Sequence, residues 1–352
     1  HGPAARRRRR HQPHLDRRLG QDGDAVRVAF GEQRRRGHVA VLPRDLHGEQ
    51  LGAQAHRGIT PGIGRLLPRI QRDRRVGGGV PGEQGVGRVE RSGPGASRFA
   101  PSERVGIAWL RRTCGACAFC ASGRENLCEK SEFTGWHADG GFADYALVPE
   151  AFAYRIPPVF SDAEAAPLLC AGIIGYRALK RSEVAPGGRL GIYGFGSSAH
   201  VTLQVARGRG CEVFVCTREP SHRELARKLG AAWVGDIADA MPEKTDSTIV
   251  FAPIGDLVPR ALENLARGGT LALAGIYMTP VPALDYQRHL FYERSIRSVT
   301  ANTRADGEEL LAEAARIPIR PETTAFPLEE ANRALTLLKQ GGFTGSGVLL
   351  TG

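Results

Sequence analysis

From residue 189 to residue 301, short apolar segments alternate with segments whose apolar residues recur at helical spacing. The apolar segments predict strands at Arg189–Tyr193, Glu212–Cys216, Ser247–Ala252, Thr270–Ile276 and Ile296–Ala301. The periodic segments predict helices at Ser198–Arg207, His222–Leu229 and Val258–Ala266. Because strands that alternate with amphipathic helices form parallel sheets covered on both faces, this region is predicted to be a doubly wound α/β domain.

The flanking regions have a different pattern. Residues 81–160 predict turns and strands, among them Val105–Leu110 and Phe142–Val148. Ser161 and Glu164 form a capping-box signature, so a helix is predicted from Ser161 to about Arg181. Two helices near Gly307–Ala315 and Leu328–Gln340 and a strand at Gly347–Leu350 end the chain.

Residues 1–80 are rich in arginine and poor in apolar alternation, with 18 Arg and 7 acidic residues that account for the whole net charge of +11. Only Ala25–Phe30 and His38–Leu42 predict strands there. Basic runs can bind polyanions, but this segment lacks aromatic interleaving and helical periodicity, so nucleic acid is not the expected partner. The abrupt change of composition near Pro81 suggests the hypothesis of an altered reading frame upstream of this point.

No run of about 18 apolar residues is present, so no membrane span is expected. The Arg-rich beginning has no apolar segment after it and does not have the pattern of a signal peptide. Five of the seven cysteines lie in motifs that need reduced thiols, which predicts a cytoplasmic protein.

Four cysteines at Cys114, Cys117, Cys120 and Cys128 have a C-x2-C-x2-C-x7-C spacing. This spacing lets the thiolates converge on one Zn²⁺, and four protein ligands leave no open position for chemistry. A structural zinc site is therefore predicted, with two disulfides or four free thiols as the alternatives.

The first predicted strand of the α/β region leads directly into a glycine-rich turn of the form G-x-G-x-x-A. Such a turn places a pyrophosphate on the N-terminus of the following helix. The predicted cofactor-binding residues are Gly194, Phe195, Gly196, Ser197, Ser198 and Ala199. Thr217 and Arg218 end the second strand, where an acidic residue would favour NAD, so we predict NAD(P) with a preference for NADP. His200 is assigned either to the pyrophosphate or to packing.

Together these residues resemble the zinc-dependent alcohol dehydrogenases of the medium-chain dehydrogenase/reductase family. The resemblance extends from about residue 81 to the C-terminus and depends on GVGRV, ERVGIAWL, the four-cysteine loop, DGGFADY, APLLCAG and GIYGFGSSAH. It implies a GroES-like catalytic domain (81–160 and 305–352), an inserted NAD(P)-binding Rossmann domain (161–304), and an atypical segment, 1–80. It also implies zinc-assisted hydride transfer between an alcohol or aldehyde and NAD(P), in dimers or tetramers.

The resemblance implies that Cys170 is a ligand of a catalytic zinc. At the two other ligand positions that it implies, this sequence differs from the family. Glu83 stands where the family has a histidine, and the family's first cysteine is not found: the position five residues before His47 is Leu42. His47 is a candidate for substrate-side proton relay, with an ordinary loop histidine as the alternative. Two further readings therefore stay open: a zinc-independent quinone or enone reductase, and a cofactor-binding protein without turnover.

Overall fold

The computed structural model describes residues 18–20, 22–30, 38–41, 82–317 and 319–351. The strands of these residues are β1 (Ala25–Ala29), β2 (His38–Val41), β3 (Gly85–Ser92), β4 (Arg104–Ile107), β5 (Leu110–Arg112), β6 (Glu132–Phe133), β7 (Tyr145–Pro149), β8 (Ala153–Arg155), β9 (Arg189–Tyr193), β10 (Glu212–Cys216), β11 (Trp233–Gly235), β12 (Thr245–Val250), β13 (Leu265–Leu273), β14 (Ser295–Ser298), β15 (Thr323–Pro327) and β16 (Ser346–Thr351). The α-helices are α1 (Ala118–Ala121), α2 (Asp162–Pro167), α3 (Ile173–Ser182), α4 (Ser197–Gly208), α5 (Pro220–Lys228), α6 (Leu257–Asn264), α7 (Tyr286–His289), α8 (Arg304–Arg316) and α9 (Ala331–Lys339). Within these described ranges, every helix is too short or too polar to cross a lipid bilayer.

Six strands form one sheet in the order β11-β10-β9-β12-β13-β14, and all neighbouring pairs are parallel. Leu190 and Ile192 of β9 are buried in one hydrophobic core with the apolar side chains of α4. The strand order reverses between β9 and its neighbour β12, so the carboxyl end of β9 lies at a topological switch point. The predicted doubly wound α/β architecture is confirmed.

A second, mainly antiparallel sheet has the order β15-β16-β2-β3-β1-β7, with β4 paired to β3 and β8 paired to β4. The strands from the end of the chain, β15 and β16, join this sheet beside β2. The parallel sheet is therefore inserted into the sequence of a β domain, as predicted. The two strands predicted in the Arg-rich segment are also confirmed, since β1 and β2 lie inside this sheet.

The predicted strand Val105–Leu110 is wrong as a single element. The strand β4 ends at Ile107 and pairs with β3 and β8, whereas β5 begins at Leu110 and pairs with β6 in a separate two-stranded sheet. Ala108 and Trp109 continue the apolar run between them, which hides the change of sheet from a sequence pattern. The four-cysteine segment follows β5 and precedes β6.

The helix predicted from Ser161 is present but interrupted. Both hydrogen bonds of the capping box form: the backbone N–H of Glu164 donates to the Ser161 hydroxyl (3.2 Å), and the Ser161 N–H donates to the Glu164 carboxylate (2.9 Å). A π-turn at Leu168–Gly172 separates α2 from α3 directly after Pro167, which has no N–H to donate. Cys170 lies in this π-turn, a local geometry that is common at functional sites.

Candidate functional site

The sulfur atoms of Cys114, Cys117, Cys120 and Cys128 all lie within 4.8 Å of one another. The Cys114–Cys120 and Cys117–Cys120 sulfur distances are 3.9 and 3.5 Å. A tetrahedral zinc with bonds of about 2.3 Å requires sulfur atoms about 3.8 Å apart, so the four thiols fit this ion. None of these cysteines, and none of the other three, forms a disulfide, which excludes the disulfide alternative for this structure.

Backbone amides prepare part of this cluster for a cation. The N–H of Cys117 donates to the Cys114 sulfur (3.3 Å), and the N–H of Cys114 donates to the Cys128 sulfur (3.4 Å). The backbone N–H groups of Ala116 and Cys117 lower the pKa of Cys114 to about 6. The N–H of Cys120 lowers the pKa of Cys117, but desolvation and the neighbouring thiols outweigh it and raise this pKa to about 11. Four adjacent thiolates need a cation, because their charges otherwise repel one another.

The glycine turn after β9 lies at the carboxyl edge of the parallel sheet. Gly194 has a φ of +85°, and a Cβ atom on it would lie 2.8 Å from the backbone nitrogen of Ala252. Gly196 is the N-cap of α4 and offers no side chain to cap it. The first N–H groups of α4 are therefore placed for an anion, in the way that dinucleotide-binding turns place them.

Two polar side chains of this turn bond to the region of the second sheet. The hydroxyl of Ser197 bonds to the hydroxyl of Ser346 in β16. The ring of His200 is buried, its Nδ1 lies 3.3 Å from the carbonyl of Gly196, and its Nε2 accepts from the N–H of Glu322 (3.1 Å). Since Nε2 accepts, Nδ1 carries the proton. The packing alternative for His200 thus agrees with the geometry. No sequence pattern indicated that Ser346 or Glu322 would contact this turn.

Thr217 and Arg218 directly follow β10. Thr217 is buried, whereas the Arg218 side chain is 67% exposed and contacts Glu219 at 3.0 Å. Arg223 holds this corner by donating to the carbonyls of Thr217 and Arg218 (3.0 Å each) and to Asp236 (2.6 Å). The surface at this corner therefore presents the Arg218 cation next to a buried neutral side chain.

Cys170 and Glu83 come together, as the resemblance implied. The Cys170 sulfur lies 3.7 Å from a carboxylate oxygen of Glu83. One sulfur and one oxygen on a tetrahedral zinc are about 3.6 Å apart, so this Cys170–Glu83 pair fits two positions of one metal. Among the residues that the structure describes, the four-cysteine cluster is the one group of three or more converging ligands, so no third ligand joins this pair there. His47 lies outside the described residues.

The backbone beside Glu83 is held by a loop that the sequence analysis did not assign to the site. The N–H of Gly141 donates to the carbonyl of Gly82 (3.0 Å). A Cβ on Gly135 or Gly140 would lie within 3.0 Å of that same carbonyl oxygen. The paired glycines of the DGGFADY motif were the available signal for this close approach.

Two protein-family models match this chain. The sequence model of the alcohol dehydrogenase GroES-like domain matches residues 38–158, and that of the zinc-binding dehydrogenase domain matches residues 199–316. A protein of Mycobacterium tuberculosis described as "Probable alcohol dehydrogenase AdhA" is 54% identical over 276 residues, which cover 77% of this chain and 80% of that protein. The chain belongs to the zinc-binding alcohol dehydrogenase family. The match to the GroES-like domain model begins at residue 38, whereas the sequence motifs had indicated a resemblance only from about residue 81.

Other alcohol dehydrogenases are more distant. A Geobacillus stearothermophilus alcohol dehydrogenase is 34% identical over 278 residues, which cover 77% of this chain and 82% of that protein. A cinnamyl alcohol dehydrogenase from Sorghum bicolor has a TM-score of 0.77 at 23% identity and covers 93% of this chain and 90% of its own. A cobalt- and zinc-bound alcohol dehydrogenase from Pyrobaculum aerophilum has a TM-score of 0.74 at 22% identity, with coverage of 93% and 91%. These structures share the fold of this alcohol dehydrogenase.

Proposed function

We propose that this alcohol dehydrogenase transfers hydride between a primary or secondary alcohol, or the corresponding carbonyl compound, and NAD(P), with NADP preferred. The observation that carries this proposal is the glycine turn Gly194–Ala199 at the switch point of the parallel sheet. Ligands of open α/β sheets bind outside the carboxyl ends of the strands at such a point. A titration of tryptophan fluorescence with each nucleotide tests cofactor binding directly.

The preference for NADP follows from the end of β10. Thr217 provides no carboxylate to bond both ribose hydroxyls, and Arg218 provides a cation for a 2′-phosphate. The contact between Arg218 and Glu219 is exposed on both sides and is worth less than about 1 kcal/mol, so a phosphate can displace it. A lower dissociation constant for NADP⁺ than for NAD⁺ would support this assignment, and the reverse order would contradict it.

In the proposed reaction, the residues of this chain position and hold the reactants. The N–H groups at the start of α4 bind the pyrophosphate, and His200 keeps the turn in place by bridging Gly196 and Glu322. Cys170 and Glu83 would hold a metal ion at the substrate side. Such an ion polarises an alcohol oxygen and lowers the pKa of the alcohol, which makes hydride transfer easier. The four-cysteine cluster would hold a second zinc with a purely structural role.

The altered ligand set keeps a second function open. Glu83 adds a negative charge where the resemblance implied a neutral imidazole, and the described residues supply two ligands rather than three. A reductase that acts on enones or quinones without a catalytic metal is therefore the alternative, and a cofactor-binding protein without turnover is the third reading. We expect the cytoplasm as the location, because the cysteines of both sites must stay reduced.

One set of assays separates these functions. We would measure NADP⁺ reduction with short and aromatic alcohols, and NADPH oxidation with enones, each with and without added zinc. We expect zinc-stimulated alcohol oxidation that is lost in Cys170→Ser, and a rate increase in Glu83→His, which restores a neutral ligand. Enone reduction that is indifferent to zinc and to Cys170→Ser would support the alternative. Binding of NADP⁺ without turnover in either assay would support the third reading.

We also propose that the protein forms a homodimer through β14, one of the two edge strands of the parallel sheet. Ile296 in this strand, together with the nearby Tyr286, Phe291 and Tyr292, is exposed. Exposed edge strands with apolar side chains pair readily with a second copy. Sedimentation should give a dimer for the wild type and a smaller species for Ile296→Arg. A monomeric wild type would contradict the proposal.

A further inference from the structure

A short helical turn, Glu125–Leu127, lies between Cys120 and Cys128 of the four-cysteine cluster. Charged and polar side chains in such a loop are usually exposed, but Glu125 and Asn126 are both buried. Both bond to residues that lie 174 to 179 positions further along the chain. The turn therefore connects the cluster to a distant part of the molecule.

Glu125 accepts four hydrogen bonds from one residue. The backbone N–H of Arg304 donates to its carboxylate (2.8 Å), and the guanidinium donates from Nε (3.0 and 3.1 Å) and Nη2 (2.7 Å). Burial alone raises the pKa of Glu125, but the bonds from Arg304 outweigh it, so the net pKa is lowered. The guanidinium also lies over the ring of Phe152 (4.6 Å). A charged fork with this geometry has a fixed orientation, so a shift of Glu125 must shift Arg304.

Asn126 connects the same turn to the carboxyl edge of the parallel sheet. Its side-chain N–H donates to the carbonyl of Thr300 (2.9 Å), two residues beyond β14. The preceding residue, Val299, donates to the carbonyl of Leu273 at the end of β13 (3.0 Å). The cofactor is proposed to bind along this same edge of the sheet. The Glu125–Leu127 turn is therefore connected to the backbone at the edge where the cofactor would bind.

Arg304 is the first residue of α8, and this helix continues the connection to α3. Thr303 and Asp306 form a capping box at the start of α8. The Asp306 carboxylate also forms ion pairs with Arg177 (2.7 Å) and Lys180 (3.2 Å) of α3. The helix α3 begins directly after the π-turn that contains Cys170. Two sets of ion pairs, joined through the first turn of α8, thus connect the turn next to the four-cysteine cluster with the helix that follows Cys170.

We propose that Glu125 is a positioning residue that makes the affinity for NADP depend on the metal in the four-cysteine cluster. This inference rests on the proposed function, both for the zinc in the cluster and for the cofactor at the glycine turn. Zinc fixes the loop that contains Glu125. Glu125 in turn fixes Arg304, and the adjacent Asn126 fixes Thr300 at the end of the parallel sheet. Because such coupling is reciprocal, bound cofactor must in turn tighten the hold of the cluster on its zinc.

The test measures that reciprocal effect in the full-length, zinc-loaded protein. A zinc chelator is titrated with and without saturating NADP⁺, and released zinc is measured by absorbance with 4-(2-pyridylazo)resorcinol. The zinc release that persists in Cys170→Ser is assigned to the four-cysteine cluster. We expect NADP⁺ to raise the chelator midpoint by about fivefold or more in the wild type. In Glu125→Gln the increase should be less than about twofold, and the KM for NADP⁺ should rise more than kcat falls.

Two further variants test whether the effect is specific to the Glu125–Arg304 fork. Glu330→Gln removes an exposed ion pair with Arg333 and should keep the wild-type shift. Arg304→Lys keeps the positive charge without the planar fork and should give an intermediate shift. If the wild type binds NADP⁺ but its chelator midpoint does not change, this inference is wrong and the proposed function still stands. The same holds if Glu125→Gln shows the full wild-type shift. A wild type that binds neither zinc nor NADP⁺ would overturn the proposed function, and this inference with it.

Discussion

Replacing Gly194 with alanine perturbs the turn that carries the proposed cofactor site. The backbone φ of +85° costs a residue with a Cβ about 1–2 kcal/mol, while alanine recovers about 0.4–1 kcal/mol from the unfolded chain. The new Cβ would also lie 2.8 Å from the backbone nitrogen of Ala252. Because this backbone nitrogen cannot move aside as a flexible side chain can, the clash adds about 1–3 kcal/mol. We expect a total loss of about 1–5 kcal/mol in the free energy of unfolding.

Gly187 provides a matched control seven residues earlier. Its φ is +79°, and a Cβ added there would meet no heavy atom within 4 Å. Gly187→Ala therefore carries the same backbone strain without the clash, and we expect it to cost about 1 kcal/mol. The difference between the two variants isolates the contact of Gly194 with Ala252.

The two variants are compared by urea unfolding and by titration of tryptophan fluorescence with NADP⁺. We expect Gly194→Ala to weaken NADP⁺ binding about tenfold or more, equivalent to about 1.4 kcal/mol, because the turn must move away from the phosphate. Gly187→Ala should bind NADP⁺ like the wild type. If both variants lose the same stability and keep the same affinity, the turn is not built for close approach and the reasoning is refuted.

Three further predictions concern single side chains. Arg218→Gln should raise the dissociation constant of NADP⁺ about tenfold and leave that of NAD⁺ unchanged in parallel titrations. The pKa of buried Asp306 is lowered, despite desolvation, by the N–H of Thr303 and by Arg177. Its stabilisation is therefore present above the unfolded pKa of about 3.9 and is lost as the pH falls through the folded value. Asp306→Asn should cost about 3–5 kcal/mol at pH 7 and remove that acid dependence of the urea midpoint. Cys128→Ser should lower the zinc content measured by atomic absorption by about one ion per chain.

Elements whose signals lie within a few residues could be predicted from the sequence. The bounds of β9 and β10 agree with the predicted strands, because each apolar run has a glycine or a polar residue at its end. The capping box at Ser161 also depends on a four-residue pattern alone. The glycine turn and the four-cysteine cluster belong to the same class, since the spacing itself brings their groups together.

Features that depend on distant partners could not be predicted. The bond between Ser197 and Ser346 joins residues 149 positions apart, and no local pattern indicates it. The π-turn was missed because Leu168, Leu169 and Cys170 continue a helical apolar pattern after Pro167. No local sequence pattern indicates a role for Glu125, and only its burial against Arg304 distinguishes it.

Packing and chemistry constrain different residues in the segment around Glu83. Gly82 has a φ of +108°, and a Cβ there would lie 2.7 Å from the backbone of Gly141, so packing requires glycine at this position. The side chain of Glu83, in contrast, extends toward Cys170, and the backbone contacts of its neighbours do not depend on its identity. The same fold can therefore hold a histidine or a carboxylate at position 83. Exchanging histidine for glutamate at position 83 leaves the architecture unchanged but alters the charge beside Cys170, and the proposed chemistry depends on that charge.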